Sequence, residues 1–480
     1  MKKKKLLIAF ILIIGNCIFP IFSFAQGIAG GGQHSLSLCN DNTVRSWGGN
    51  WVGQLGNGTI NSTGCKCITT PVQVNFVTGI TAISGGGFHS LALKNDSTVW
   101  AWGDNFYGEL GEGDTLDKYT PVQVGGITDI TAISAGWYHS LALKNDSTVW
   151  AWGTNWDGQL GDSTNVGRYT PVQVRGFGNV GYLTGITAIA TEGWHSLALK
   201  KDSTIWAWGW NHYGQLGNNT GIDSTPVKVG FLNKITAIAV GNAHSLALKN
   251  DSTVWAWGFN GAGELGDGNT IDRMAPVQVR GPGNVGFLKG IIAIAGGGNH
   301  SLALKNDGTV WTWGYNIYGQ LGDGTTINRT TPVQVNGLTN VVAISGGGWH
   351  SLALKNDGSV WTWGYNQDGE LGNDTSGNNN YIPVQVNGLC YVNGIDELQQ
   401  GSISIYPNPS SGLFTMQINS QWLMSNSQID IYNVLGEKVW HSEIYNQQSQ
   451  IDLSSQSKGI YFIKVQSGNN VYTKKVIISN

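Results

Sequence analysis

Seven His-Ser pairs punctuate the chain, at His34, His89, His139, His195, His244, His300 and His350, separated by 55, 50, 56, 49, 56 and 50 residues. Imidazole is a common metal ligand and proton carrier, so a metal centre is the first chemistry to test. One histidine per repeat spreads the seven around a wide ring. No carboxylate or second histidine travels with any of them at ligand spacing. They are read as structural, satisfied by bonds to blade backbone, with no metal and no cofactor expected. The next candidates are Glu109, Glu264 and Glu370, which stand where the other units carry Gln. A Gln/Glu exchange at one repeat position points to a structural role. Paired carboxylates on one face would suit glycoside cleavage, which keeps a secreted polysaccharide hydrolase or lyase as the second reading. No nucleophile constellation is legible, and no residue is assigned as catalytic.

The elements that hold these residues repeat as well. "HSLALKNDSTVWAWG" begins at His89 and recurs at His139, with close copies at His195 and His300. Each copy ends in Trp-Gly, at Trp47, Trp102, Trp152, Trp208, Trp257, Trp313 and Trp363, and each unit closes on a Pro-Val pair read as a strand start. Self-similarity at this period means a solenoid, propeller or array. Within the second unit the strands are expected at residues 80–84, 90–93, 98–102 and 121–124. Asn95-Asp96-Ser97 forms a tight hairpin turn, and no segment has helical periodicity. Four strands, seven times, predict an all-β seven-bladed propeller. Blades stack face to face, which explains the weak polar alternation at Leu91, Leu93, Trp100 and Trp102.

Strand direction sorts the turns onto two ends. The upper face carries the turn before each histidine and the loop after each Trp-Gly. The lower face carries the Asn-Asp-Ser/Gly turns and the inserts "RGFGNVGYL" and "RGPGNVGFL". The upper loops vary, and their variation is aromatic: Trp51, Phe88, Phe106, Tyr107, Trp137, Tyr138, Trp156, Trp194, Trp210, Tyr213, Phe259, Tyr315, Tyr318, Trp349 and Tyr365, with His212 among them. Binding residues collect on such loops, and aromatics with polar neighbours dominate interfaces and stack on sugar faces. These fifteen aromatics are therefore the expected binding site, for an unknown protein or glycan.

Bulk composition narrows the classes. In 480 residues the net charge is -3 and charged residues are 12%, which gives no footprint for nucleic acid. The N-terminus reads as a secretory signal of residues 1–25, with Lys2 to Lys5, an apolar run from Leu6 to Ile14, and Ser23-Phe24-Ala25 before the cut. After its removal no integral membrane segment is expected, and a monomer is. Cys39 falls at the lower end of the first unit and Cys390 at the lower end of the last, so a Cys39–Cys390 disulfide is expected to staple a closed ring. Cys65 and Cys67 share an upper loop. The Asp-Ser-Thr turns at Asp96, Asp146, Asp202 and Asp251 resemble an O-glycosylation motif of secreted Bacteroidota proteins, although turn chemistry accounts for the same residues.

The pattern "GGGxHSLALKNDGTVWTWGxNxxGQLGDG" over residues 26–390 resembles the regulator of chromosome condensation repeat family. That resemblance implies the propeller fold but a range of functions, from nucleotide exchange on a small GTPase to ubiquitin-ligase accessories. Export makes guanine-nucleotide exchange the least favoured. A linker of residues 391–402 leads to residues 403–480, whose short strands and glycine turns predict a small β-sandwich. Tyr406-Pro407-Asn408-Pro409, Asn433 to Gly436, and Gly459-Ile460-Tyr461 are similar to the type A C-terminal sorting domain of type IX secretion. The resemblance implies a Bacteroidota origin, passage through the periplasm, partnership with the secretion machinery, and a secreted or outer-membrane surface location.

Overall fold

The computed structural model describes residues 27–60, 67–218, 221, 223–389, 403–406, 410–418, 427–433, 437–444, 448–467 and 470–479. The signal segment, Cys65, Cys390, the linker, Pro407, Asn408, Pro409 and Gly436 lie outside them. The chain forms two compact units, Met1–Leu389 and Cys390–Asn480.

The first unit consists of seven four-stranded antiparallel sheets, each contiguous in sequence. In blade 2 the strands are Ile80–Gly85, His89–Lys94, Val99–Gly103 and Lys118–Gln123. The central hairpin pairs His89 with Gly103 and Leu93 with Val99. Its turn closes with the Lys94 amide donating to the Thr98 carbonyl and the Ser97 amide donating to the Lys94 carbonyl, both at 2.9 Å. Ser97 takes φ 65° to do so, a left-handed conformation costly for any residue with a Cβ.

The period of two along each strand is present but hidden. Leu91, Leu93, Val99 and Ala101 pack towards blade 3, against Ala135, Ala142 and Trp152. The alternate residues Ala92 and Trp102 pack towards blade 1, against Leu36, Leu38 and Val44. Both faces meet apolar neighbours, so neither becomes polar. Each fully buried Trp-Gly tryptophan serves the seam with the preceding blade.

The structure corrects two details. Pro121 does not start its strand; it lies fourth in Lys118–Gln123, where the register skips between Ala101↔Val122 and Gly103↔Lys118. The strand is the outermost of its sheet, and an edge bulge tolerates a residue without an N–H. The lower inserts also contain short 3-10 turns, Phe177–Asn179 and Pro282–Asn284, with Arg175 stacked over Tyr182 at 4.8 Å and Arg280 over Phe287 at 5.0 Å.

The first strands line a central channel with a cavity of ≈ 230 Å³. The ring closes by packing blade 1 on blade 7, where the Gly30 amide donates to Ser345 Oγ at 3.1 Å and the Gly348 amide to the Gly31 carbonyl at 3.0 Å. The second unit has one sheet of Ile403–Tyr406, Leu413–Ile418 and Gln448–Asp452, and another of Lys438–Ile444, Ser427–Asn433, Gly459–Ser467 and Asn470–Ile478. Phe414, Met416 and Ile451 of the first share a core with Ile429, Ile431, Ile463 and Val476 of the second. Tyr461, beside Gly459, donates its hydroxyl to the Ser457 carbonyl at 2.6 Å, and Tyr406 is exposed. No helix among the described residues is long and apolar enough to cross a membrane.

Candidate binding face

The repeated motif builds the seams between blades. His34 Nε2 meets Ser90 Oγ of the next blade at 2.8 Å. Ser90 Oγ donates to the Gln54 carbonyl at 2.9 Å, and Trp102 Nε1 donates to the same carbonyl at 2.9 Å. Because the serine spends its proton on that carbonyl, it accepts from the imidazole, which fixes the Nε2–H tautomer. The relay continues through His89–Ser140, His139–Ser196, His195–Ser245, His244–Ser301 and His300–Ser351, and His350–Ser35 at 2.8 Å closes it. At that closing seam Ser35 Oγ and Trp47 Nε1 both donate to the Glu370 carbonyl.

This corrects one expectation. The imidazoles bond to serine hydroxyls of neighbouring blades, not to blade backbone. The serine sits beside each histidine in sequence, but its partner lies a whole repeat away. Burial pushes six of the imidazoles down to about 3 and His244 to about 4. In six of them Nδ1 has no partner, so an added proton would be buried without an acceptor. The room for the ring comes from glycine: a Cβ on Gly86 would stand 2.6 Å from His89 Nδ1 and 2.6 Å from the Gly136 carbonyl oxygen. Blade 4 alone has Glu192 at this position, and there Thr191 Oγ1 donates to the His195 carbonyl at 2.9 Å.

Above this frame each upper loop has a fixed base. In blade 2, Asn105 Oδ1 accepts from the Leu110 amide at 3.0 Å, while Asn105 Nδ2 donates to Asp114 and to the Leu116 carbonyl. Glu109 is fully buried, and its Oε2 accepts from the Tyr107 amide at 2.9 Å. Glu264 and Glu370 cap Ala262 and Asp368 in the same way, and Gln54, Gln159, Gln215 and Gln320 use Oε1 for it. Burial raises Glu109 to about 9, Glu370 to about 8 and Glu264 to about 7. An uncharged acid therefore imitates the amide, and the Gln/Glu exchange follows. These three carboxyls are turned inwards, away from any substrate.

What the loops leave free is aromatic. Trp51 meets Phe88 at 6.0 Å, Phe88 meets Trp137 at 6.0 Å, and Phe88 meets Tyr138 at 6.3 Å. Tyr138 continues to Tyr107 at 5.4 Å and to Trp194 at 5.4 Å, and Tyr107 to Trp156 at 4.8 Å and Phe106 at 4.8 Å. One connected sheet of rings thus spans blades 1 to 4. Phe106 is 69% exposed and Trp156 54% exposed; the rest are half-buried. A second group joins Trp210, His212, Tyr213 and Phe259, and a third joins Tyr315, Tyr318, Trp349 and Tyr365. The fifteen aromatics read from sequence therefore fall into three groups.

Sequence reasoning missed the acids beside them. Asp104 lies against Asp117, and burial and that neighbour raise its carboxyl. Burial raises the Tyr138 hydroxyl above its usual range, and the charges of Asp104, Tyr107 and Glu109 add to the shift. In the third group Tyr365 is pushed up to about 12 by burial, then Glu370 and Asp368. Glu192 lines the channel, and burial raises it well above the carboxylate range. A signal existed: after Trp-Gly, blade 2 writes Asp104 where blades 4 to 7 write Trp210, Phe259, Tyr315 and Tyr365. Cys39 is buried at the lower end of blade 1, and Cys67 starts the fourth strand opposite Gly49, at the upper end.

Known proteins share this architecture. The curated Ultraviolet-B receptor UVR8 of Arabidopsis thaliana is 30% identical over 316 residues, 64% of this chain and 69% of the receptor. The human E3 ubiquitin-protein ligase HERC2 is 30% identical over 310 residues, but those are only 5% of its own length. Among solved structures, Prp20p of Saccharomyces cerevisiae superposes with a TM-score of 0.63 at 24% identity, covering 74% of this chain and 88% of that one. Human WBSCR16 gives 0.60 at 25% identity, covering 69% and 87%. A secretion system C-terminal sorting domain model matches residues 404–479; the second unit is thus a type IX sorting domain that exports the chain to the cell surface or beyond it. The RCC1-like domain model matches residues 19–234 and 126–404, and the chain belongs to the RCC1-like domain family.

Proposed function

We propose that this is a secreted or surface-attached binding protein whose upper propeller face engages a protein or glycan. The observation that carries the reading is the connected, half-exposed aromatic sheet from Trp51 to Trp194, on the face where the loop residues change from blade to blade. Stacked and edge-to-face rings over a rigid base lose little entropy on binding, which suits a docking surface. The hydrolase or lyase reading loses its support, because Glu109, Glu264 and Glu370 are consumed as buried caps. The closing seam carries a further proposal. Cys39 lies at the lower end of blade 1 and Cys67 at its upper end, which favours a Cys39–Cys390 staple over a Cys39–Cys67 pair. A cleaved signal of residues 1–25 and a Bacteroidota source complete the reading.

The test is binding of the exported protein to a glycan array and to surface-protein extracts, with Trp137, Trp194 and Trp349 each changed to Ala. Loss of a ligand in these variants, with unchanged thermal unfolding, supports the reading. Ligand binding that ignores all three places the site elsewhere.

A further inference from the structure

The two faces of the propeller differ in charge as sharply as in shape. Sorted by strand direction, the described upper ends carry sixteen acidic residues and four basic ones, and the lower ends eight acidic and thirteen basic. The four upper cations are already paired within their own loops: Lys118 with Glu112 at 2.7 Å, and Arg168, Arg273 and Arg329 with Asp162, Asp267 and Asp323 at 2.6–2.7 Å. Among the described residues no cation pairs with Asp104, Asp117, Asp157, Asp272 or Asp368. Setting aside Glu109, Glu264, Glu370 and Glu192, whose carboxyls burial raises, still leaves the face strongly negative. Among the described residues no further upper-face cation is left to neutralise it.

The aromatic rings lie next to these free acids. Tyr107 stands at 81° to Tyr138 and 79° to Trp156, so the rings form walls rather than a flat stack. Asp104 and Asp117 accept from the Phe106 and Asn105 amides at 3.2 and 3.0 Å, on the turn that leads into Tyr107. Ring faces attract cations and carboxylates pair with them. Blades 6 and 7 repeat the combination with Tyr318, Trp349, Tyr365 and Asp368.

Resting on the reading of the upper face as a binding surface, we infer that it docks a basic segment of another protein, one Lys or Arg head group seated among Tyr107, Tyr138 and Trp156 beside Asp104 and Asp117. Two separated acid–aromatic stations suit a chain with several cations better than one small ion. Among the described residues no group of His, Cys, Asp or Glu is arranged to hold a metal ion. A second copy of this chain is a poor occupant, because lower-face Lys94, Lys200, Lys249 and Lys355 already lie over Trp100, Trp206, Trp255 and Trp361 at 5.5–5.9 Å.

The test is titration of the full exported chain with a ten-residue oligolysine peptide, an oligoglutamate peptide and neutral oligosaccharides, at low and raised salt. Oligolysine is expected to bind and oligoglutamate not to. Raised salt should weaken binding, since charges beyond ~10 Å are screened at 0.1 M. The pair D104N/D117N and, separately, W156A should each weaken it about tenfold. Asp104 and Asp117 are half-buried and accept loop amides, so the isosteric Asn is used there, and unfolding midpoints within a degree or two of the parent's confirm folding. Absence of oligolysine binding, or binding indifferent to both variants, overturns the inference. Oligosaccharide binding that needs Trp137 without any cation preference would overturn it yet keep the proposed function, whereas no upper-face ligand of any kind would end both. Self-association as the sole interaction would point to a second copy and overturn it too.

Discussion

The lower and upper ends of the same seven blades follow opposite rules. At the lower end one solution repeats: Asp96 Oδ1 accepts from the Thr98 amide and hydroxyl, and Asp41, Asp146, Asp202, Asp251, Asp307 and Asp357 do the same for the residues two positions on. At the upper end the base of each loop is conserved in geometry, through Asn105 and Glu109 or their counterparts, while the residues between them change from blade to blade. A hairpin turn leaves no position free of its own hydrogen bonds. A long loop pinned at both ends leaves several, and those are where Phe106, Tyr107, Trp156 and Tyr365 stand. The difference teaches that the motif supplies the frame and the gaps between its fixed points supply the surface.

The sharpest way to break this contrast uses two tryptophans of one blade. Trp152→Ala removes a fully buried ring and leaves the Glu109 carbonyl without one of its donors, so a loss of about 3–5 kcal/mol is expected in denaturant unfolding. Trp156→Ala, at a ring 54% exposed, should cost under about 1 kcal/mol while weakening ligand binding about tenfold. Equal losses of stability would merge the two roles.

Acid attacks the frame as a whole. The folded histidines hold protons less tightly than unfolded ones, so their burial costs nothing above about pH 6.5 and grows costlier as pH falls towards about 3. Thermal midpoints should fall steeply across that window, and a flat profile from pH 7 to 4 would contradict neutral buried rings. The capping acids behave inversely. Glu109 and Glu370 bind protons more tightly when folded, so the stability they contribute is present below about pH 4.5 and lost as pH rises towards 8 to 9. The triple change E109Q/E264Q/E370Q should therefore raise the midpoint at pH 8 and leave it nearly unchanged at pH 4.

The smallest effect belongs to the lower turns. Ser97, Ser147, Ser203 and Ser252 take φ of 62–65° where blades 6 and 7 use Gly308 and Gly358. Ser97→Gly should stabilise by a few tenths to about 1 kcal/mol, with no change in binding.

Much of the frame was legible because repetition exposes it. The recurring His-Ser and Trp-Gly pairs located the blades, and strand direction separated the faces. The hydrogen-bond partners were not legible, because His34 and Ser90 meet only once two repeats are stacked. Nor was the bulge at Pro121, since Pro-Val reads equally well as a start. The aromatic positions came from comparing copies. The acids beside them did not, because Asp104 and Asp117 are twelve residues of loop apart and become neighbours only when Asn105 and Asp114 fold that loop back.

The most direct test measures ligand affinity for two surface variants that differ only in the face they alter. One replaces Trp137, Trp194 and Trp349 with Ala on the upper face, the other Lys94, Lys144 and Lys305 with Ala on the lower. With both folded, the first should lose binding by tenfold or more and the second should match the parent. Binding that survives the upper changes and fails with the lower ones would contradict the assignment of function to the variable face.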